Sequence, residues 1–180
     1  PDNPVFQIGS VIQDYGNPDK YIKHLITLKK CGPIKDTIVI CCETEYELLC
    51  KWQELLQETD PDILYGYNIF GFDLNYLMVR AEKLGCEGFK YLGRMKYKQS
   101  VIEDKQLSSA AYGDNKFKMV PMPGRLQIDL LQIMLRGMTK YRSYKLGDIS
   151  QEILCSKLTD DPIQFTKGST TIFVKHKNHK

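Results

Sequence analysis

Apolar residues open the chain in a β-rich pattern, with Val5, Phe6, Ile8, Val11 and Ile12 set among polar neighbours. The cluster Gly16-Asn17-Pro18-Asp19 reads as a turn, and β-branched residues resume between Tyr21 and Leu28, so the pattern predicts a hairpin. Past Cys31-Gly32-Pro33, the run Thr37 to Cys42 is short, apolar and β-branched, which predicts a third strand, buried. Thr44-Glu45-Tyr46-Glu47 has the form of a capping box, in which the threonine hydroxyl and the glutamate side chain satisfy the first free N–H groups of a helix. Leu48, Leu49, Trp52, Leu55 and Leu56 follow at helical spacing, so a helix from Glu45 to about Gln57 should lay one apolar face on a sheet.

Asp60-Pro61-Asp62 breaks that helix, Ile63 to Tyr67 reads as a strand, and Leu74, Leu77, Met78, Ala81 and Leu84 recur at helical spacing until Gly85 ends the second helix. Between Lys90 and Lys118 the periodicity dissolves. Lys90, Arg94, Lys96, Lys98, Lys105, Lys116 and Lys118 outweigh Glu103, Asp104 and Asp114 there, which predicts a solvated, mobile loop, with nucleic-acid contact as the other reading. Arg125 to Leu131 is a further strand running into a helical Leu130 to Arg136, and Tyr144 to Leu154 carries Leu146, Ile149, Ile153 and Leu154 as another helix. The tail from Thr170 is β-like and then basic. Strands followed by alternating strands and helices indicate a mixed α/β domain, its sheet covered by helices.

At 180 residues the chain suits one compact domain, and its longest apolar run, Ile38 to Cys42, is far short of the roughly 18 residues a bilayer span needs. No membrane partner is expected. The net charge of +3 is too small to mark a polycation and names no partner. Cys31, Cys41, Cys42, Cys50, Cys86 and Cys155 form no C-x-x-C pair, so neither a zinc site nor a disulfide framework is signalled, and a reducing compartment fits.

The chemistry concentrates in Asp60 to Leu74, where a strand delivers Asn68 and Asp73 stands at the first turn of the next helix. A carboxylate held on a rigid scaffold suits divalent-metal binding. The same carboxylate could simply cap the helix and complement its dipole. Tyr65, Tyr67, Phe70 and Phe72 could stack bases, although strand aromatics usually belong to the core.

Asn68-x-x-x-Phe72-Asp73, preceded by Asp-Pro-Asp-Ile-Leu-Tyr-Gly-Tyr, resembles the second exonuclease motif of family B DNA polymerases. Phe89 to Arg94, Gly124 to Gln132, Tyr141 to Leu146, Pro4 to Ile8 and Cys31 to Ile34 resemble the same family in its order and approximate spacing, most nearly the delta-type replicative enzymes of eukaryotes and large DNA viruses. The resemblance implies a ribonuclease-H-like 3′–5′ exonuclease fold, a mixed sheet flanked by helices, with residues 1–180 forming a partial domain truncated at both ends. It implies two Mg²⁺ ions around the scissile phosphate, one activating water and the other stabilising the leaving 3′ oxygen. Asp73 is then a catalytic metal ligand, while Asn68 and Phe72 match residues that hold the unpaired primer terminus. The implied partners are a single-stranded primer 3′ end, primer–template DNA, deoxynucleoside triphosphates and clamp or accessory subunits. The implied setting is intracellular: the nucleus for a cellular enzyme, the nucleus or a cytoplasmic replication site for a viral one. A free-standing ribonuclease-H-like exonuclease and a catalytically inactive nucleic-acid-binding module of the same fold are the competing readings.

The family's first motif, an Asp-x-Glu on a strand, lies upstream of the segment resembling Pro1 to Ile8, and its Tyr-x-x-x-Asp motif follows the region resembling Tyr141 to Leu154. Neither is expected among these residues, and a sheet lacking the first-motif strand should show open backbone edges. Tyr144-Lys145-Leu146-Gly147-Asp148 has the Tyr-x-x-x-Asp spacing but falls where the family has a Ser-Tyr-x-Leu segment. Asp129 heads a helix, where a structural role is expected, and His176 and His179 read as part of a solvated tail.

Overall fold

The computed structural model describes residues 2–17, 19–109, 113–155 and 171–176. The opening hairpin forms as the pattern predicts: β1 (Gln7–Asp14) pairs antiparallel with β2 (Tyr21–Leu28). Alternation on β1 turns Ile8, Ser10 and Ile12 inward, and buried Ser10 accepts a hydrogen bond from Trp52 Nε1 at 3.3 Å. β3 (Thr37–Cys42) has the expected bounds and pairs parallel with β2, but it is an edge strand, and only Cys42 is buried. Its apolar composition predicted full burial; position in the sheet leaves Ile38 half exposed instead.

Helix α1 (Glu45–Thr59) starts at Thr44 as the pattern predicts, with Thr44 Oγ1 accepting from Glu47 N, while the Glu47 carboxylate accepts from Glu43 N, one residue ahead of the N–H a capping box uses. Leu48, Leu49, Trp52, Leu55 and Leu56 are buried against the sheet. Its first residue, Glu45, is buried too, and accepts from Val5 N at 2.7 Å and from the Arg80 guanidinium of helix α2 (Leu74–Leu84). α2 ends at Gly85 in the left-handed conformation, where a side chain would be strained.

Between the two helices, β4 (Ile63–Gly66) leads into a π-turn (Ile69–Asp73) that continues directly into α2. The described residues of the segment expected to be a loop are ordered. A 3₁₀ turn (Glu87–Tyr91) buries Phe89 beside Trp52, Leu92 and Ser100 are buried, and β5 (Glu103–Ser109) pairs antiparallel with β6 (Gly113–Met119). The polar composition misled because this two-stranded hairpin attaches through a few apolar side chains. Phe117 stacks on Phe70 with ring centroids 5.7 Å apart, and Met119 packs on the same core.

β7 (Leu126–Asp129) lies parallel to β4 and runs into α3 (Leu130–Arg136); α4 (Leu146–Ser150) continues as a second π-turn (Gln151–Cys155). The β-like tail forms β8 (Thr171–His176), which pairs parallel with β1 and antiparallel with β4. The sheet order is β3-β2-β1-β8-β4-β7, with β1 paired on both sides and β3 and β7 at the edges. The architecture is a mixed α/β sheet with helices against it.

A polar knot sets the β4–β7 register. Arg125, its side chain 0% exposed, donates to Asp60 Oδ1 (2.9 Å) and to the carbonyls of Pro61 (2.7 Å), Leu92 (3.1 Å) and Leu56 (3.4 Å). Arg94 donates to Asp60 Oδ1 and Asp62 Oδ1, each at 2.8 Å, and Gly93 lies so close to Pro123 that an added Cβ would come within 2.7 Å of its backbone. Burial opposes ionisation of Asp60, but the hydrogen bonds and charges of the two guanidinium groups outweigh it and hold the carboxyl below its usual range. Arg125→Met should destabilise the chain by about 3 kcal/mol, the low end for breaking a buried ion pair because Arg94 still serves Asp60; urea denaturation measures it.

Glu45 has a pH signature. Burial raises its pKa, yet the hydrogen bonds from Arg80 and Val5 N and the Arg80 charge outweigh that, and the net shift is downward from 4.5. A depressed carboxyl stabilises the fold above the unfolded-state pKa and loses that contribution as pH falls through the folded-state value. The urea midpoint should therefore fall below pH 4.5, and this part of the fall should be missing in Glu45→Gln.

Candidate active site

The parallel strands β4 and β7 end side by side, with Gly66 opposite Asp129. Beyond Gly66 the chain turns sharply: Asn68 adopts a left-handed conformation, φ 61° and ψ 27°. Asparagine tolerates this region better than most residues. The Asn68 carbonyl accepts from Gly71 N (3.1 Å) and Phe72 N (3.0 Å), closing the first loop of the π-turn.

The amide donors at this corner go to Asp129. Its Oδ1 accepts from Asn68 N at 2.8 Å, its Oδ2 from Phe70 N at 3.0 Å, and Oδ1 also accepts from Leu131 N at 3.0 Å, capping α3. Asp129 is 3% exposed. The structural role expected at the head of a helix is present, and it extends across the strand ends to the corner. Tyr67 adds a second tie by donating its hydroxyl to the Tyr144 carbonyl at 2.5 Å. Burial, with the Asp129 charge nearby, pushes the Tyr67 phenol above its ordinary pKa, so it remains a donor.

The side-chain amide of Asn68 lies over Gly71, where an added Cβ would fall 2.1 Å from Asn68 Oδ1. Phe72 is 54% exposed, its ring tilted against Tyr76 with centroids 5.1 Å apart. Asp73, half-buried, is the last residue of the π-turn; it has helical backbone angles and makes no side-chain cap hydrogen bond, so the capping role open to it on spacing is not the one it plays. Phe72, Asp73, Tyr76 and Leu77 line a groove of about 470 Å³ whose other wall is Asn3 to Ile8. Tyr76 closes one end by donating to the Asn3 carbonyl at 2.7 Å.

Other aromatics sort as strand chemistry suggests, with Phe70 buried and Tyr65 and Tyr67 half-buried. Asp148 is exposed on α4 and lines a different cleft with Arg142 and Glu152, away from the Asp73 groove. The side chain of His176 and all of His179 lie outside the described residues. Among the described residues no group of three or more His, Cys, Asp or Glu side chains could hold a metal ion, so a two-ion site is not assembled from them. No helix among them is long and apolar enough to cross a membrane.

Sequence reasoning reached Asn68, Phe72 and Asp73 but not Gly71 or the reach of Asp129 to the corner. The signal for Gly71 was present, a glycine three residues after an asparagine at a strand end. The Asp129 contact had none, since its partners lie 59 and 61 residues away.

A family model for the exonuclease domain of family B DNA polymerases matches residues 1–149, and the chain belongs to this family. It is 40% identical over 159 residues to a DNA polymerase of Pyramimonas orientalis virus, covering 87% of this chain and 13% of that protein. Over 158 residues it is 39% identical to the DNA polymerase delta catalytic subunits of Drosophila melanogaster and Glycine max, covering 88% of this chain and 14% of each. The chain thus spans about one seventh of the length of these relatives.

Gly71 gives a direct test of the corner geometry. Its φ is not left-handed, so alanine fits the backbone, and only the flexible Asn68 amide must move. Gly71→Ala should change stability by less than about 1 kcal/mol while shifting the Asn68 side-chain NH₂ resonances in a ¹⁵N spectrum.

Proposed function

We propose that this chain is the partial proofreading domain, residues 1–180, of a delta-type replicative DNA polymerase, with a ribonuclease-H-like fold, and that it contributes Asp73 to 3′–5′ excision. The observation that carries the reading is the family match across residues 1–149, which contains the whole Asn68 to Asp73 corner. Excision calls for a carboxylate at the scissile phosphate, a surface for an unpaired base and a rigid mount for both. Asp73 leads straight into α2, Phe72 presents an exposed ring beside it, and Asn68 stands one turn earlier. Stacking on Phe72 would hold any base, which suits an end of arbitrary sequence.

Divalent-metal dependence belongs to this reading, with Mg²⁺ the expected ion and Asp73 one ligand. The described residues supply no complete ligand cluster, so further ligands must join Asp73 to hold the ion. The proposed partners are a single-stranded primer 3′ end for this domain, with primer–template DNA, deoxynucleoside triphosphates and clamp or accessory subunits for the polymerase. The proposed setting is the nucleus, or a cytoplasmic replication site for a viral enzyme.

In the intact polymerase, Asp73→Ala should lower excision of a mismatched 3′ end by more than about a hundredfold while leaving primer extension nearly intact. Asn68→Ala and Phe72→Ala should lose less. Gel assays of both activities on one labelled primer measure all three, and full excision by Asp73→Ala would sink the assignment.

A further inference from the structure

A helical turn that begins at a strand end leaves its first N–H groups without partners inside the turn, and the residue preceding it usually supplies a side-chain acceptor. Asn68 occupies that preceding position, yet it makes no cap hydrogen bond. The acceptor arrives from elsewhere. Asp129, 61 residues along the chain, takes Asn68 N on one carboxylate oxygen and Phe70 N on the other. Capping α3 through Leu131 N would occupy a single oxygen. Two of the three bonds, and the burial of the whole group, serve the corner instead.

We infer that Asp129 is a positioning residue for excision: its carboxylate caps the Asn68 to Asp73 turn from outside, fixing where Phe72 and Asp73 point and freeing the Asn68 amide. The inference rests on the reading of Asp73 as the excision carboxylate. The freed amide is visible in the structure, where Asn68 Oδ1 lies over Gly71 rather than on an N–H of its own turn. Without Asp129 the N–H of buried Phe70 loses its acceptor, and the turn must shift or take up water to recover one. Asp73, three residues beyond Phe70 in the same π-turn, would move with it.

The test compares Asp129→Asn, Asp129→Ala and Asp73→Ala in the intact polymerase, measuring kcat and KM for excision of a single-stranded 3′ end, with amide hydrogen exchange read at Asn68, Phe70 and α1. Asparagine keeps the shape and, with its oxygen at the Oδ1 position, the bonds from Asn68 N and Leu131 N, but turns N–H against N–H at Phe70. Asp129→Asn should speed exchange at Phe70 by at least about tenfold with α1 unchanged, and should lower kcat more than it raises KM. Asp129→Ala should lower kcat further, by about a hundredfold, the penalty for misplacing a reacting group by roughly 1 Å. A role confined to stability would raise exchange in α1 equally and leave kcat per folded molecule unchanged, and that result overturns the inference. If the alanine variant does not fold, asparagine decides. Full excision by Asp73→Ala overturns the reading of Asp73 beneath it, whereas lost excision in Asp73→Ala with kcat unchanged in Asp129→Asn overturns the positioning role alone.

Discussion

A guanidinium with no solvent contact is costly to bury unless its nitrogens find acceptors, and each of the three Arg125 nitrogens has one, among a carboxylate and three carbonyls from the end of α1 and from Leu92. Leu56 and Pro61 flank the end of α1, Leu92 follows the 3₁₀ turn, and Asp60 itself sits in a left-handed conformation where the helix stops. Because Arg125 immediately precedes β7, satisfying it fixes where that strand begins. Leu126 N then donates to Asp62 O at 2.8 Å, β7 zips along β4, and Asp129 comes to rest opposite Gly66. A shift of one residue would turn the Asp129 side chain to the other face of the sheet. The position of the candidate catalytic corner is thus inherited from an ion pair at the opposite end of the strand.

The same dependence explains what could be read from the sequence. Helix α1 was legible because its signals are local, a capping box followed by leucines and a tryptophan at helical spacing. The bounds of β3 and α3 were legible for similar reasons. That β3 lies at an edge was not, because composition reports how apolar a strand is and carries no record of how many neighbours it has. The stretch from Lys90 to Lys118 was read as a mobile loop because its order comes from contacts that no short window of sequence contains, such as Phe117 on Phe70 and, just ahead of it, Phe89 on Trp52. At the candidate site, Asn68, Phe72 and Asp73 were singled out through a contiguous motif. The residue that braces them was noticed at Asp129 only as a helix head, since hydrogen bonds spanning some 60 residues leave no periodic trace.

Two kinds of polar burial divide the labour. Glu45 with Arg80 joins α1 to α2 and, through Val5 N, draws in the segment ahead of β1 that forms one wall of the groove. Asp129 holds only backbone amides. Charged partners with long side chains can follow small shifts between helices, whereas a carboxylate clamped on three main-chain N–H groups fixes the backbone itself. The first arrangement suits the mutual placement of packed helices, the second a turn whose angles must not drift.

The separation between β4 and β7 bears on how the chain acquires its structure. The pairing from Ile63 with Leu126 to Gly66 with Asp129 closes a loop of about 60 residues, and loop closure of that length is paid in entropy before any contact across it forms. The hairpin of β1 and β2, by contrast, closes over a short turn. Local elements therefore gather first, and the corner at Asn68 acquires its acceptor only when the distant strand docks. On a ribosome, Asn68 to Asp73 emerge long before Asp129 does, so the corner waits, unbraced, for a residue not yet synthesised.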